Sequence, residues 1–146
     1  HVDNSQNLKE GIKSSINELL ENNSKIILIY PIPEVGWHVP NKLFSNISHR
    51  YVKEIKESFK KSPVTTSYEV YKNRNKESFK FLDSIQHKNI FRVYPHTLFC
   101  NKMIKDRCAT HNEDSIFYFD SHHISSSGAL MVNKLIMEKV NKIFIP

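Results

Sequence analysis

Two short apolar runs, each stopped by a proline, constrain what this chain can fold into. Residues 25–30 set Ile26, Ile27, Leu28 and Ile29 in an unbroken row before Tyr30 and Pro31, and residues 90–94 carry Ile90, Phe91, Val93 and Tyr94 before Pro95. Runs this short, rich in β-branched and aromatic residues, read as strands buried on both faces, the pattern of parallel sheets. The sequence between them has a helical period. Tyr51, Val52, Ile55 and Phe59 share one face of a helix over about 48–60, and Tyr71, Ser78, Phe79, Leu82 and Ile85 share a face of a second over about 67–87. Parallel strands need a long crossover, so the two runs are expected to be parallel neighbours joined by a right-handed crossover through these helices.

The flanking segments extend the alternation. Leu8, Ile12, Ile16, Leu19 and Leu20 recur at helical spacing up to Asn22 and Asn23, and Pro31, Pro33 and Pro40 hold the stretch after the first run in loop geometry. Residues 116–119 read as a third strand. Residues 126–144 read as a final helix with Val132, Leu135, Ile136, Val140 and Ile143 as its apolar stripe. Strand and helix in alternation predict an α/β fold with a mainly parallel sheet. With 146 residues, 39% of them hydrophobic, the chain can bury one modest core. No apolar run approaches the ~18–20 residues of a membrane helix. The start, His1-Val2-Asp3-Asn4, is neither a signal peptide nor an initiator, so the chain is expected to be cut from a longer protein.

A formal charge of +6 raises the question of nucleic acid. Lysines run from Lys9 to Lys142 and interleave with glutamates, as in Lys53-Glu54-Ile55-Lys56-Glu57, which suits solvated helix faces and not a phosphate-tracking stripe. Arg92 and Arg107 are the arginines outside the lysine-rich helices. No nucleic-acid partner is expected.

In parallel α/β sheets, chemistry gathers in loops at the carboxyl ends of strands. Two loops have that placement: Pro31-Ile32-Pro33-Glu34-Val35-Gly36 and the segment from Asp120 to Ser125. In the second, Asp120 and His123 are spaced for a local carboxylate–imidazole contact. Such a pair lets histidine take a proton on one nitrogen while the carboxylate holds the other. The same residues equally suit a polar helix-entry turn with Ser125 as N-cap. Glu34 could act as a general acid or be plain loop structure, and Trp37 could stack on a sugar or pack under the prolines. His38, His49, His87 and His96 have no partner pattern and read as surface residues. Cys100 and Cys108 admit a disulfide, free thiols, or, with His96 and His111, a Cys₂His₂ zinc site whose spacing matches no common pattern.

The segment Asp120-Ser121-His122-His123-Ile124-Ser125-Ser126-Ser127-Gly128-Ala129 resembles the final block of the SGNH (GDSL-like) hydrolases, D-x-x-H-L-S-x-x-G-A, with Ile124 in place of the leucine. In particular, the chain is similar to SGNH domains fused behind acyltransferase-3-type membrane domains. That subgroup has a P-x-P-E-x-G-type loop followed by V-P, matched by residues 31–36 and Val39-Pro40, and a Cys pair before the terminal motif, matched by Cys100 and Cys108. The resemblance implies a three-layer, SGNH/flavodoxin-like α/β fold, with residues 1–146 as the C-terminal portion of one domain. It makes His123 the base, Asp120 its orienting carboxylate and His122 the competing imidazole.

The resemblance also implies an acyltransferase that moves an O-acyl group, typically acetyl, onto a cell-envelope polysaccharide, with a fused or associated membrane domain supplying the acyl group. The protein would sit in the inner membrane with this domain on the periplasmic side, without cofactor or metal. In that compartment a Cys100–Cys108 disulfide is the natural state, at about 2.5 kcal/mol by the chain-entropy argument. A carbohydrate O-acetyl esterase and a non-catalytic glycan-binding domain are the alternatives. Besides Ile124, the chain departs from the family in having no G-D-S block. None of Ser14, Ser15, Ser24 or Ser45 has a strand-to-helix G-D-S setting, so the nucleophilic serine is expected upstream, together with the oxyanion-hole blocks.

Overall fold

The computed structural model describes residues 4–45 and 51–144. The first apolar run forms β1 (Ile26–Ile29) and the second β3 (Ile90–Val93), and they pair in parallel with Ile26 opposite Ile90 and Ile29 opposite Val93. The Tyr30 N–H continues the ladder to the Val93 carbonyl at 3.0 Å. Helix α1 (Asn4–Glu21) packs on β1, and α6 (Ser126–Phe144) lies against β3. Ile16 of α1, Leu28 and Tyr30, and Ile85 and Ile90 make one small core, closed by Phe79, Phe81 and Leu82 of α4 (Tyr68–Asp83). The fold is α/β with a parallel sheet.

The crossover is more elaborate than two helices. Its first helix, α2 (Val39–Phe44), begins where a loop was expected, because Pro40 falls in the first turn, where a missing N–H costs nothing. His38 caps it: the Asn41 N–H donates to the His38 Nδ1 at 3.3 Å. Helix α3 (Val52–Lys61) buries Phe59 and half-buries Ile55, while Tyr51 and Val52 stay exposed, so the expected apolar face is only partly used. The earliest part of that expected helix, and His49, lie outside the described residues. Strand β2 (Thr65–Ser67) then pairs antiparallel with β4 (Arg107–Ala109) in a second sheet. These segments are too short and too polar to have announced themselves by alternation.

The second sheet anchors the larger core, which includes Val35, Val39, Phe59, Phe99, Phe117 and Tyr118. Cys100, just after α5 (His96–Phe99), is joined to Cys108 of β4. Arg107 donates through Nε to the Thr65 hydroxyl at 2.9 Å and through Nη2 to the Thr65 carbonyl at 2.6 Å. Arg92 donates to the Tyr30 hydroxyl at 3.2 Å and to the Ile85 carbonyl at 2.6 Å. Both arginines therefore serve the interior. Residues 116–119 depart from expectation: they are extended but belong to no strand. Their backbone hydrogen bonds are local, from Phe117 N–H to the Thr110 carbonyl (2.9 Å) and from Phe119 N–H to the His123 carbonyl (2.8 Å). Apolar content made the segment extended, and neighbouring chain took its hydrogen bonds first.

Thr110 and His111 carry the β2–β4 pairing one residue further with side chains. The Thr110 hydroxyl donates to the Val64 carbonyl at 2.7 Å, and the Val64 N–H donates to His111 Nε2 at 2.9 Å. Since Nε2 accepts, the ring proton sits on Nδ1 and donates to the Asn112 carbonyl at 2.9 Å. Burial pushes the His111 pKa below the ordinary histidine value, against the opposing pull of that carbonyl.

As pH falls, the unfolded chain therefore takes up the His111 proton before the folded one. The stability from neutral His111 is whole above about pH 6.5 and declines below it. His111→Gln, which keeps an acceptor for Val64 without titrating, should flatten part of the acid-side decline in denaturant stability below about pH 6.5. His111→Leu should cost about 1–3 kcal/mol at pH 7 by orphaning the Val64 N–H. An unchanged slope in His111→Gln would contradict this account.

Candidate functional site

The turn from Asp120 to Ser125 is built around one carboxylate. Asp120 Oδ1 accepts the backbone N–H of His122 (2.7 Å) and of His123 (2.8 Å), and Oδ2 lies 2.7 Å from His123 Nδ1. An aspartate at the head of a tight turn binds N–H groups two and three residues on, because its short side chain reaches them without strain. The His123 ring is thereby brought over the second oxygen. The backbone N–H donors of His123 and His122, followed by the His123 imidazole, hold the Asp120 carboxyl well below the usual carboxylate range. Asp120 therefore remains ionised throughout the neutral range.

The two adjacent histidines are treated differently. The His123 side chain is 79% exposed, and no described group hydrogen-bonds its Nε2, whereas Asp120 is only 28% exposed. The His122 Nδ1 sits 2.5 Å from the Ser121 hydroxyl and takes no share of the carboxylate except through its backbone. With Nδ1–H donating to the carboxylate, the His123 Nε2 presents a lone pair to solvent. Among the described residues, no serine hydroxyl bonds to it.

The rest of the motif fixes this turn to the fold. The Ser125 hydroxyl donates to the Ile116 carbonyl at 2.6 Å and accepts the Gly128 N–H at 3.2 Å, which caps α6. Gly128 is needed for a close approach: a Cβ there would run into the Phe117 carbonyl oxygen and come within 3.2 Å of the Ile124 Cβ. From the other side the first loop clamps the turn. The N–H groups of Val35 and Gly36 both donate to the Ser121 carbonyl, at 3.0 and 3.3 Å, and the Val39 N–H reaches the Asp120 carbonyl at 3.4 Å. Gly36 has φ +83°, a conformation that side-chain-bearing residues adopt only with strain. Two buried tyrosines hold the loop's prolines, Tyr71 donating to the Pro31 carbonyl and Tyr118 to the Pro33 carbonyl, each at 2.7 Å.

The two loops singled out from the sequence therefore meet, through backbone groups rather than through Glu34 or Trp37. Glu34 is exposed, and Trp37 packs against the larger core. The clamp by Val35, Gly36 and Tyr118 was not foreseen; the positive-φ glycine after two prolines was its available signal. The zinc alternative for the cysteines falls away. Cys100 and Cys108 are bonded to each other, both His111 nitrogens are engaged by backbone groups, and no metal-binding cluster occurs among the described residues. His96 is not a surface residue. It is half-buried among the rings of Tyr68, Tyr71, Phe79 and Tyr94, and desolvation lowers its pKa. His38 and His87 are exposed, as expected.

A family model described as "SGNH domain (fused to AT3 domains)" matches residues 1–138. No curated protein and no solved structure is significantly similar to the chain.

Because a Cβ at Gly128 would collide with the Phe117 carbonyl and one at Gly11 would meet nothing within 4 Å, the two glycines should respond oppositely to alanine. Gly11→Ala, in the middle of α1, should stabilise by about 0.5–1 kcal/mol. Gly128→Ala should destabilise by about 1–3 kcal/mol and shift the backbone amide resonances of Asp120 and His123. Gly128→Ala with neither effect would show that the turn does not depend on this close approach.

Proposed function

The chain belongs to the family of SGNH domains fused to AT3 domains, and from that membership we propose that it supplies the Asp–His half of a serine acyl-transfer centre acting on cell-envelope carbohydrate. The observation that carries this reading is the 2.7 Å contact between Asp120 and His123 Nδ1, with the imidazole otherwise exposed. A serine hydroxyl is a weak nucleophile until a neighbouring base takes its proton, and His123 Nε2 is the free base in this turn.

In the proposed reaction the serine comes from outside residues 1–146, in the G-D-S segment that characterises the family. His123 Nε2 removes the hydroxyl proton as the serine oxygen attacks the acyl carbonyl, and Asp120 stabilises the imidazolium that forms. Nε2 then gives that proton to the leaving group, and the acyl-enzyme remains. A sugar hydroxyl, deprotonated by the same Nε2, attacks the acyl-enzyme, and Nε2 returns that proton to the departing serine oxygen. The acyl group is taken to be acetyl. Water in place of the sugar would make the same centre an esterase; the AT3 partner of the family, an acyl-group supplier by its type, favours transfer. The Cys100–Cys108 bond supports an extracytoplasmic position, on the periplasmic side of the inner membrane, because disulfides persist in oxidising compartments.

The test uses the full-length parent, with acyl transfer to its glycan as the readout. His123→Ala should lose about a thousandfold or more and Asp120→Asn a large part of the activity, with little change for His122→Ala. Near-normal transfer by His123→Ala would remove the dyad and leave shared fold without shared chemistry.

A further inference from the structure

On the outer side of α4 lies a groove of about 710 Å³ that the acyl-transfer turn does not use. Its floor is aromatic. Tyr68 and Tyr71 stack with ring centroids 6.0 Å apart and planes at 15°, His96 stacks on Tyr68 at 5.9 Å and 26°, and Phe79 closes the end against His96 at 5.7 Å. Within that floor the His96 Nδ1 is buried and has no hydrogen-bond partner among the described residues, a condition that native structures usually relieve with a bound water or ligand.

The rim is cationic. Lys72, Lys76 and Lys80 line the groove at successive intervals of four, which on a helix places them on one flank about 6 Å apart along the axis. No carboxylate among the described residues forms an ion pair with any of the three. Lys72 Nζ sits 4.9 Å from the centre of the Tyr68 ring, so the charge row adjoins the aromatic floor. Asp83, the carboxylate on the lining, is engaged by the Tyr30 hydroxyl at 2.5 Å. The half-buried rings of Tyr68, Phe79 and His96 leave apolar surface that suits the C–H faces of a sugar, and a row of ammonium groups without ion-pair partners among the described residues suits acids spaced along a chain.

We propose that this groove is a binding subsite for a carboxylate-bearing stretch of a glycan, which rests on the carbohydrate acceptor proposed above and narrows it to acidic polysaccharides. Neutral glycan would leave the lysine row unused. A purely electrostatic surface would not need stacked rings.

The experiment is a titration of the chain with a trisaccharide of galacturonic acid and with its methyl ester, followed by amide and aromatic-ring NMR. The acid form should move the amides of residues 68–84 and the ring protons of Tyr68 and His96. The ester should bind about tenfold more weakly, and so should the acid form to the triple variant Lys72→Gln, Lys76→Gln, Lys80→Gln, since three exposed charge contacts together amount to about that factor. The spectrum of the triple variant itself shows whether it is folded. His123→Ala should bind as the unaltered chain does, so failure of the acyl-transfer reading and failure of this subsite are read separately. Absence of movement in these resonances, equal binding of the ester, or full binding by the triple variant would overturn the proposal. Phosphatidylglycerol vesicles that move the same amides while the trisaccharide does not would assign the lysine row to a membrane surface and overturn it equally.

Discussion

Asp120 gathers three donors of one turn onto two oxygens, and the geometry of the site follows from that. Oδ1 ties the N–H groups of His122 and His123, which fixes the path of the backbone, and Oδ2 takes the His123 ring, which fixes the direction of the side chain. Removing one acceptor would loosen both at once. The same bonds keep the carboxyl ionised well below its usual range, so the contribution of Asp120 to stability is whole above about pH 3.9 and is lost only in stronger acid. The histidine that faces solvent is therefore oriented by a charge that does not titrate under ordinary conditions.

Such a turn cannot hold its position alone, since His122 and His123 are exposed and its other residues are only half-buried. It is held from two sides. Beneath it, Ser125 starts α6, and Gly128 lets that helix lie against the Phe117 carbonyl. Beside it, the loop that follows β1 donates the Val35, Gly36 and Val39 N–H groups to the carbonyls of Ser121 and Asp120. The prolines keep the loop stiff, and Tyr71 and Tyr118 hold it from the core. The parallel β1–β3 pair thus places the site indirectly, by delivering the clamping loop from the end of β1.

The strongest periodicities were legible in the sequence. The strands at 26–29 and 90–93 and helices α1 and α6 came from runs long or apolar enough to leave one reading, whereas the backbone clamp between the two candidate loops did not. What was illegible depended on partners distant in sequence. Thr65–Ser67 becomes a strand only because Arg107–Ala109, held by the disulfide, lies beside it. Residues 116–119 look like a strand but spend their hydrogen bonds on Thr110 and on residues 123–125. His96 looked like a surface histidine and His111 only like a possible zinc ligand, since no spacing announces that a ring will lie among tyrosines or replace a backbone partner for Val64. The choice between His122 and His123 was readable from spacing, because a turn brings the residue three after an aspartate back over its carboxylate.

The central claim is that Asp120 holds the proton of His123 on Nδ1 and leaves Nε2 as a free base. Nitrogen-15 shifts of the imidazole ring, recorded on the neutral histidine at high pH, report which nitrogen carries the proton. The His123 Nδ1 should be protonated and Nε2 bare, with the preference lost in Asp120→Asn and no matching preference imposed on His122 by the carboxylate. A His123 ring that carries its proton mainly on Nε2, or whose tautomer is unchanged by Asp120→Asn, would contradict that claim.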